Sequence, residues 1–333
     1  MIKIVLKKAK TKIIIFLLTF VIMPINAFAY SKEIIAGGEN IGITLNSKGI
    51  LIVGTYEING QSPAENADIK TGDIITDINE KKVNTIEEMA NVISESNKDE
   101  INIKYKRDKD IKQTKLKLYK DENNIYKTGL FVKDSITGIG TLTYIDPKTK
   151  IFGALGHEIQ EQTTGKILEI KDGKIFDSTV TGIIPSSNGN PGEKKAEYNA
   201  NKIKGIANEN TTQGIFGDYT EDTENKKTYK VANKEDIKEG NAKILTVLKN
   251  KEIKEYDIQI IEVNKNDDKN KNFVFEITDK ELLNQTNGII QGMSGSPIVK
   301  DEYILGAVTH VVVNNPHKGY GIFITNMLEE GDN

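Results

Sequence analysis

The sequence contains no cysteine, only three histidines and no excess of positive charge, and each shortage removes a class of function. Without cysteine there is no disulfide framework, no thiolate nucleophile and no cysteine-bound zinc or iron–sulfur cluster. The histidines lack the spacing of a zinc-binding HExxH motif, so we expect neither a metal nor another cofactor. Forty-five basic residues stand against 48 acidic ones, a net charge of −3, which argues against nucleic acid as a partner.

Residues 1–30 have the pattern of an export segment. A positively charged stretch comes first, with Lys3, Lys7, Lys8, Lys10 and Lys12. The apolar run from Ile13 to Met23 follows, and Ala27-Phe28-Ala29 matches a small-residue cleavage site. The run is shorter than the about 20 residues of a membrane span. We therefore predict a signal peptide, with an N-terminal membrane anchor as the alternative, and an exported remainder.

The length of 333 residues fits two domains, and the sequence pattern changes near residue 120. Residues 31–120 predict short strands and one longer helix, with Ser62 and Thr85 placed to cap helical segments. Two of these strands are expected around a turn at Asn46-Ser47-Lys48. Residues 121–333 predict many short strands separated by glycine turns, which is typical of a barrel or sandwich.

The stretch from Ser62-Pro63-Ala64 to Gly72-Asp73-Ile74 resembles the bacterial PDZ domain. Such a domain binds a peptide or a C-terminus as an added strand. The resemblance places the peptide-binding residues at Ile41, Gly42 and Ile43, where backbone N–H groups can receive a terminal carboxylate. The alternative is purely structural, with Gly42 in a tight turn and Ile43 in the core.

The segment from Gln291 to Pro297 carries the clearest chemical signal. Ser294 lies between glycines, and in a tight loop its N–H and that of Gly292 can point to one spot, which is how an oxyanion hole is made. Upstream, an apolar strand ends in Gly156-His157. An imidazole at the mouth of a loop is well placed to act as a general base.

These motifs together resemble a known family. Gly292-Met293-Ser294-Gly295-Ser296-Pro297 is similar to the nucleophile loop of chymotrypsin-like serine peptidases, and His157 precedes it as in that group. With an export segment, a PDZ unit ahead of the peptidase and Leu155-Gly156-His157-Glu158-Ile159, the chain resembles the stage IV sporulation protein B (SpoIVB) peptidases. The resemblance implies a mainly β fold. It consists of a PDZ domain (α+β, residues 31–120) followed by a chymotrypsin-like double β-barrel peptidase domain (residues 121–333).

By the same resemblance, Ser294 is the catalytic nucleophile and His157 the base. Gly292 and Ser294 then supply the oxyanion hole. Ser296 is the rival serine, but it stands where the chymotrypsin-like loop usually has a structural glycine. His310, at a strand end, is interpreted as a half-buried strand residue, with a place in the substrate cleft as the alternative.

The third catalytic residue has two candidates. Asp279 lies 15 residues before Ser294, which resembles the acidic position of the family, and it is our assignment. Asp218 is the alternative, because chymotrypsin-like topology usually supplies the acid from the first barrel. Either aspartate could also be an ordinary strand-end or turn residue.

The resemblance also implies a biological role. Members of the family are signalling serine peptidases, secreted from the forespore into the space between two membranes. They cleave themselves and a membrane-bound regulator, and processing of a sigma factor follows. The implied partners are that protein substrate, the enzyme's own N-terminal region, and a peptide or C-terminus at the PDZ domain. The alternatives are an HtrA-like quality-control peptidase, in which the PDZ domain follows the protease, and a noncatalytic PDZ scaffold.

Overall fold

The structure is a computed structural model, and it describes residues 30–266 and 270–332. The export segment predicted for residues 1–30 therefore lies, apart from Tyr30, outside the described residues. Strands make up 54% of the structure and helices 11%, so the predicted mainly β fold is confirmed. None of the helices in the described ranges combines the length and the apolar character that a bilayer span needs.

The N-terminal unit packs two helices against a small sheet. After β1 (Glu33–Ala36) its elements are β2 (Asn40–Thr55), α1 (Pro63–Asn66), β3 (Ile74–Ile78), β4 (Lys81–Lys82), α2 (Ile86–Ser96), β5 (Glu100–Arg107) and β6 (Asp110–Lys117). Ser62 caps α1 and Thr85 caps α2, as predicted. Met89 and Ile93 of α2 are buried in the core of this unit, and such burial supplies most of the stability of a short helix. A separate two-stranded sheet of β7 (Tyr119–Lys120) and β8 (Tyr126–Lys127) follows.

Strand β2 runs straight through the turn predicted at Asn46-Ser47-Lys48, so that prediction is wrong. Its first part pairs with β9 (Leu130–Ile145) and β11 (Ile170–Ile184), and its second part pairs with β9 and β3. Because β9 pairs along both parts, the chain does not reverse. It bulges between Asn46 and Leu51 instead, where Gly49 has a φ of 103°. Strands β2 and β9 are therefore shared between the N-terminal unit and the barrel that follows.

The first barrel is a closed ring of six strands. Starting from β9, the pairing order is β10 (Ile151–Ala154), β13 (Gly214–Tyr219), β12 (Glu193–Thr211), β11 and β2, which pairs with β9 again. Strand β1 pairs with β9 and with β14 (Thr228–Val231) beside the ring. The core is formed by buried apolar side chains that include Ile43, Leu142, Phe152, Ile175 and Ile215.

The second barrel is also a closed ring of six strands. Its pairing order is β15 (Gly240–Val247), β16 (Ile253–Val263), β17 (Phe273–Ile277), β20 (Lys318–Phe323), β19 (Tyr303–Val311) and β18 (Pro297–Lys300), which pairs with β15. Helix α3 (Lys280–Thr286) follows β17, and α4 (Ile324–Gly331) ends the chain. Two such rings follow one another, and β2 of the first ring comes from residues 31–120, the range predicted for the PDZ domain.

Candidate active site

Ser294 lies in a tight loop that leads into β18. Gly292 and Gly295 on either side have φ values of 89° and 90°, which side chains with a Cβ rarely adopt. A Cβ on Gly295 would lie only 2.2 Å from the carbonyl oxygen of Thr141. The two glycines therefore allow the loop its shape and its close contact with β9, while Ser294 stays half-buried.

The loop presents two backbone N–H groups to which the protein itself gives no acceptor. Among the residues that the structure describes, neither Gly292 N nor Ser294 N donates a hydrogen bond. The carbonyl oxygens of the same two peptide groups are both occupied, by the N–H groups of Lys194 and Ser296, each at 2.9 Å. The C=O and N–H of a trans peptide point in opposite directions, so these bonds fix the direction of the two free donors. Two free N–H groups beside a serine are what an oxyanion hole requires.

Two threonines of β9 hold the loop in place. The Thr141 hydroxyl donates to Gly292 O at 2.8 Å, and its backbone N–H donates to Ser294 O at 3.0 Å. The Thr143 hydroxyl donates to Gly295 O at 2.8 Å. Both threonines are completely buried. Their role is not visible in the sequence, because alternate threonines in a strand carry no signal until the position of the loop is known.

Ser294 and Ser296 lie in different environments, and the difference favours one of them as the nucleophile. The Ser294 hydroxyl donates to the carbonyl oxygen of Thr309 at 2.8 Å and lines a cleft. Ser296 is 0% exposed, and its hydroxyl oxygen has no hydrogen-bond partner among the described residues. A nucleophile must reach its substrate, so burial disfavours Ser296 in that role.

His157 follows β10 and lines the same cleft as Ser294, as the sequence predicted. Its ring Nδ1 lies 2.7 Å from the carbonyl oxygen of Glu158. A carbonyl only accepts, so Nδ1 carries the proton, and Nε2 of the neutral ring is left with a free lone pair. Burial lowers the pKa of the imidazole below its usual value, against the opposing effect of Glu158. The ring is therefore held neutral, in the tautomer that a general base needs.

His310 in β19 packs against His157, with the ring centroids 5.0 Å apart. It is half-buried in the strand, in agreement with our interpretation, and it also contacts the candidate base. Burial, the charge of His157 and the charge of Lys271 lower the pKa of His310 to about 4. The second imidazole is therefore neutral near pH 7 and adds no positive charge beside His157.

The structure does not bring either predicted acid to His157. Asp279 is the N-cap of α3, where its carboxylate accepts from Leu282 N at 2.9 Å and from Asp257 N at 3.4 Å. Asp218 is exposed on β13 and accepts from Asn208. In the described part of the chain no hydrogen bond joins either aspartate to His157, so the predicted Ser294–His157–Asp279 triad is not formed here. The Glu158 carbonyl occupies the orienting position instead.

The cleft has a volume of about 580 Å³. One wall is β9, which from Ser135 to Ile139 pairs only with β2, so its other edge is unpaired among the described strands. A Cβ on Gly138 would meet nothing within 4 Å. A free strand edge beside a serine and a histidine can receive an extended peptide through backbone hydrogen bonds.

The peptide-binding site predicted at Ile41, Gly42 and Ile43 is not present in the structure. These residues pair with β9 on one side and with β11 on the other, and all three are buried in the first barrel. A strand with both edges paired cannot accept a third strand. Beside α2 the structure places β9 instead, where Asp134 accepts from Ile86 N at 2.8 Å.

Two family models match this chain. A PDZ domain family model matches residues 40–118, and the family model described as SpoIVB peptidase S55 matches residues 124–328. Among solved structures, the PDZ domain of the SdrC-like protein from Listeria monocytogenes is 24% identical, covering 26% of this chain and 90% of that chain with a TM-score of 0.23. A search among curated proteins found no match.

The peptidase match, over a chain with a double barrel and a serine–histidine cleft, makes this protein a serine peptidase, a hydrolase that acts on peptide bonds. Its PDZ domain adds a module for binding protein or peptide substrates. The chain belongs to the SpoIVB peptidase S55 family, whose model covers more than half of its length. Family membership decides against the noncatalytic scaffold that the sequence left as an alternative.

Proposed function

We propose that Ser294 is the nucleophile and His157 the general base of an exported signalling endopeptidase of the sporulation type. The observation that carries the catalytic part is the pair of free N–H groups of Gly292 and Ser294 in the cleft that His157 also lines. These donors suit the negatively charged oxygen of a tetrahedral intermediate.

In the proposed reaction the Ser294 hydroxyl turns from the Thr309 carbonyl toward His157. Its oxygen attacks the scissile carbonyl carbon while its proton passes to Nε2 of His157. The carbonyl oxygen becomes an oxyanion that accepts from Gly292 N and Ser294 N. Collapse breaks the peptide bond, and His157 gives the proton to the leaving amine. Water, activated by the same imidazole, then hydrolyses the acyl-serine and restores the enzyme.

The carbonyl oxygen of Glu158 takes the orienting role that a carboxylate has in other peptidases. It accepts from Nδ1 of His157 and so favours the productive tautomer. A neutral carbonyl stabilises a protonated imidazole less than a carboxylate does. The hydrogen bond to Glu158 therefore offsets only part of the effect of burial, and the pKa of His157 stays below its usual value.

The signalling role rests on the family and on the domain order. The PDZ match precedes the peptidase match along the chain, opposite to the order in HtrA-like quality-control peptidases. The pattern of residues 1–30 supports export, with a tether until cleavage, and the family resemblance suggests the space between two membranes as the destination. We propose that the substrates are the enzyme's own N-terminal region and a membrane-bound regulator, and that cleavage of the regulator triggers sigma-factor processing.

Expression of the full chain with its export segment tests this proposal. The wild-type enzyme should yield products whose new N-termini lie beyond Ala29, the predicted signal-peptidase site, and Ser294→Ala should yield only the product cut after Ala29. Ser296→Ala keeps the backbone N–H of that residue and loses only a buried hydroxyl without a partner, so it should process like wild type. Cleavage beyond Ala29 that persists in Ser294→Ala would contradict self-cleavage by this site.

A further inference from the structure

The start of β12 sets the direction of one oxyanion-hole donor. Gln291 N donates to Gly192 O at 2.8 Å, and Lys194 N donates to Gln291 O at 2.9 Å. Glu193 and Gln291 thereby form a short parallel bridge. The second of these bonds holds the carbonyl of the peptide group whose N–H belongs to Gly292. If Lys194 moves, that peptide group loses the bond that orients it.

The side chain of Lys194 lies beneath the serine loop and is buried. A Cβ on Gly292 would lie 3.2 Å from the Lys194 Cδ atom, so the lysine stem packs directly against the loop. Its Nζ donates to the Thr246 hydroxyl at 2.9 Å, and Thr246 in β15 is itself completely buried. No carboxylate of the described residues forms an ion pair with this ammonium group. The bond instead joins β12 of the first barrel to β15 of the second.

Burying the Lys194 amine beneath the serine loop costs free energy, so its presence there calls for an explanation. Desolvation lowers the pKa of Lys194 to about 7, because the one partner of the buried charge among the described residues is a neutral hydroxyl. An apolar side chain of the same length would fill the space without that penalty. The amine does provide a directional bond across the two barrels, which an apolar side chain cannot.

The segment that leads into Lys194 is tied to the second barrel as well. Ser186 N donates to Thr286 O at 2.8 Å, and Gly189 N donates to Val313 O at 3.0 Å. The connection between β11 and β12 therefore reaches from the first barrel to the second. Lys194 lies just after this connection, at the start of β12, where the chain touches the serine loop.

We propose that Lys194 is a positioning residue for the oxyanion hole. Its amine anchors the start of β12 to Thr246, and its backbone N–H thereby holds the peptide group that presents Gly292 N to the cleft. The inference rests on the proposed role of Ser294 and its loop. It assigns Lys194 no contact with the substrate.

Lys194→Met tests the proposal, because methionine keeps the length of the stem and removes the amine. We expect kcat on a short peptide to fall about 10-fold or more, part of the loss that follows removal of a whole oxyanion donor, with KM little changed. A peptide aldehyde forms a tetrahedral adduct with an oxyanion, whereas the matching peptide alcohol does not. Binding of the aldehyde should weaken by a factor similar to the loss in kcat, and binding of the alcohol should not change.

Thr246→Val removes the acceptor of the same bond and should cause the same selective loss. The double variant should be no slower than the worse single variant, because both changes break one interaction. Lys195→Met is the matched control on an exposed neighbour and should behave like wild type. The melting temperature of Lys194→Met should not fall, since an apolar side chain replaces a buried amine.

Equal weakening of the aldehyde and the alcohol would overturn the positioning role, because it indicates general damage to the cleft. Unchanged aldehyde binding in Lys194→Met would overturn it as well. Ser294→Ala, assayed in parallel, separates this proposal from the proposed function. Cleavage that persists there contradicts the nucleophile, whatever the lysine variants show.

Discussion

The serine loop, Gly292 to Gly295, and the strand segment Ile41 to Ile43 use their backbone groups in opposite ways. In the loop, two N–H groups have no acceptor in the described structure, and their carbonyl partners are fixed by other residues. In the strand segment, both edges are paired and the side chains fill the first barrel. Both segments contain glycine between apolar or small residues. A binding site is distinguished by a free backbone N–H group that is held in a fixed direction. The presence of a glycine does not show whether such an N–H group exists.

The comparison predicts that changes in the cleft reduce activity, whereas changes in the strand reduce stability. His157→Gln should cause the largest loss of activity, about 10⁴-fold in kcat, because glutamine cannot take the serine proton. Its melting temperature should stay close to that of wild type. Turnover of a short peptide and a thermal melt on one preparation check both parts. Activity within about tenfold of wild type would exclude His157 as the base.

Gly42→Glu should act on the fold and not on substrate capture. A Cβ at this position would lie 2.5 Å from the Cβ atom of Tyr198, an exposed residue on the face of the strand opposite to the core, so the strand must shift. Overpacking of this kind costs about 1–3 kcal/mol. Denaturant unfolding measures the effect. Gly138→Ala, at a position open to solvent, is the control and should unfold like wild type. A stable Gly42→Glu protein that binds peptides poorly would restore the original interpretation of this segment.

Asp279→Ala distinguishes a helix cap from a catalytic acid. Loss of the bond to Leu282 N should cost about 1 kcal/mol of folding free energy. Loss of a triad carboxylate would instead reduce kcat by about 10⁴-fold. We expect the first result, with activity within about tenfold of wild type. Unfolding curves and peptide turnover measured together decide between the two roles.

The pH profile of kcat/KM should show the smallest effect, a shift of its acid limb to lower pH. The base must be neutral to accept the serine proton, so kcat/KM falls as pH drops through the pKa of His157 in the free enzyme. Burial lowers that pKa, which moves the acid limb below the usual histidine value of about 6.5. A limb at or above that value would show that a negative charge, such as a carboxylate, stabilises the protonated imidazole.

The sequence was sufficient for features that lie within a few consecutive residues. The glycine-framed Ser294, the strand that leads to His157 and the caps at Ser62 and Thr85 all have local signals, and the structure contains each of them, although the strand ends at Ala154. The prediction of a peptide-binding groove at Ile41 to Ile43 was wrong because residues 138–140 and 175–177 pair with both edges of this segment. No local pattern in the sequence reveals that pairing.

The sequence also contained no indication of residues that act through tertiary contacts. Lys194 stands in a polar stretch that resembles an exposed strand, and only the folded chain shows its amine beneath the serine loop. Asp279 had a local signal, since it precedes a helix and can cap it. That signal was outweighed by its distance from Ser294 along the chain, which says nothing about its distance from His157 in space.

Labelling with a fluorophosphonate tests the central claim most directly, because the reagent reacts with a serine activated by a neighbouring base and an oxyanion hole. Trypsin should release residues 281–300 as one fragment that contains both Ser294 and Ser296. Fragmentation of this peptide in a mass spectrometer then assigns the adduct. We predict modification of Ser294 alone, abolished in His157→Gln. An adduct on Ser296, or equal labelling of the His157→Gln variant, would contradict the site described here.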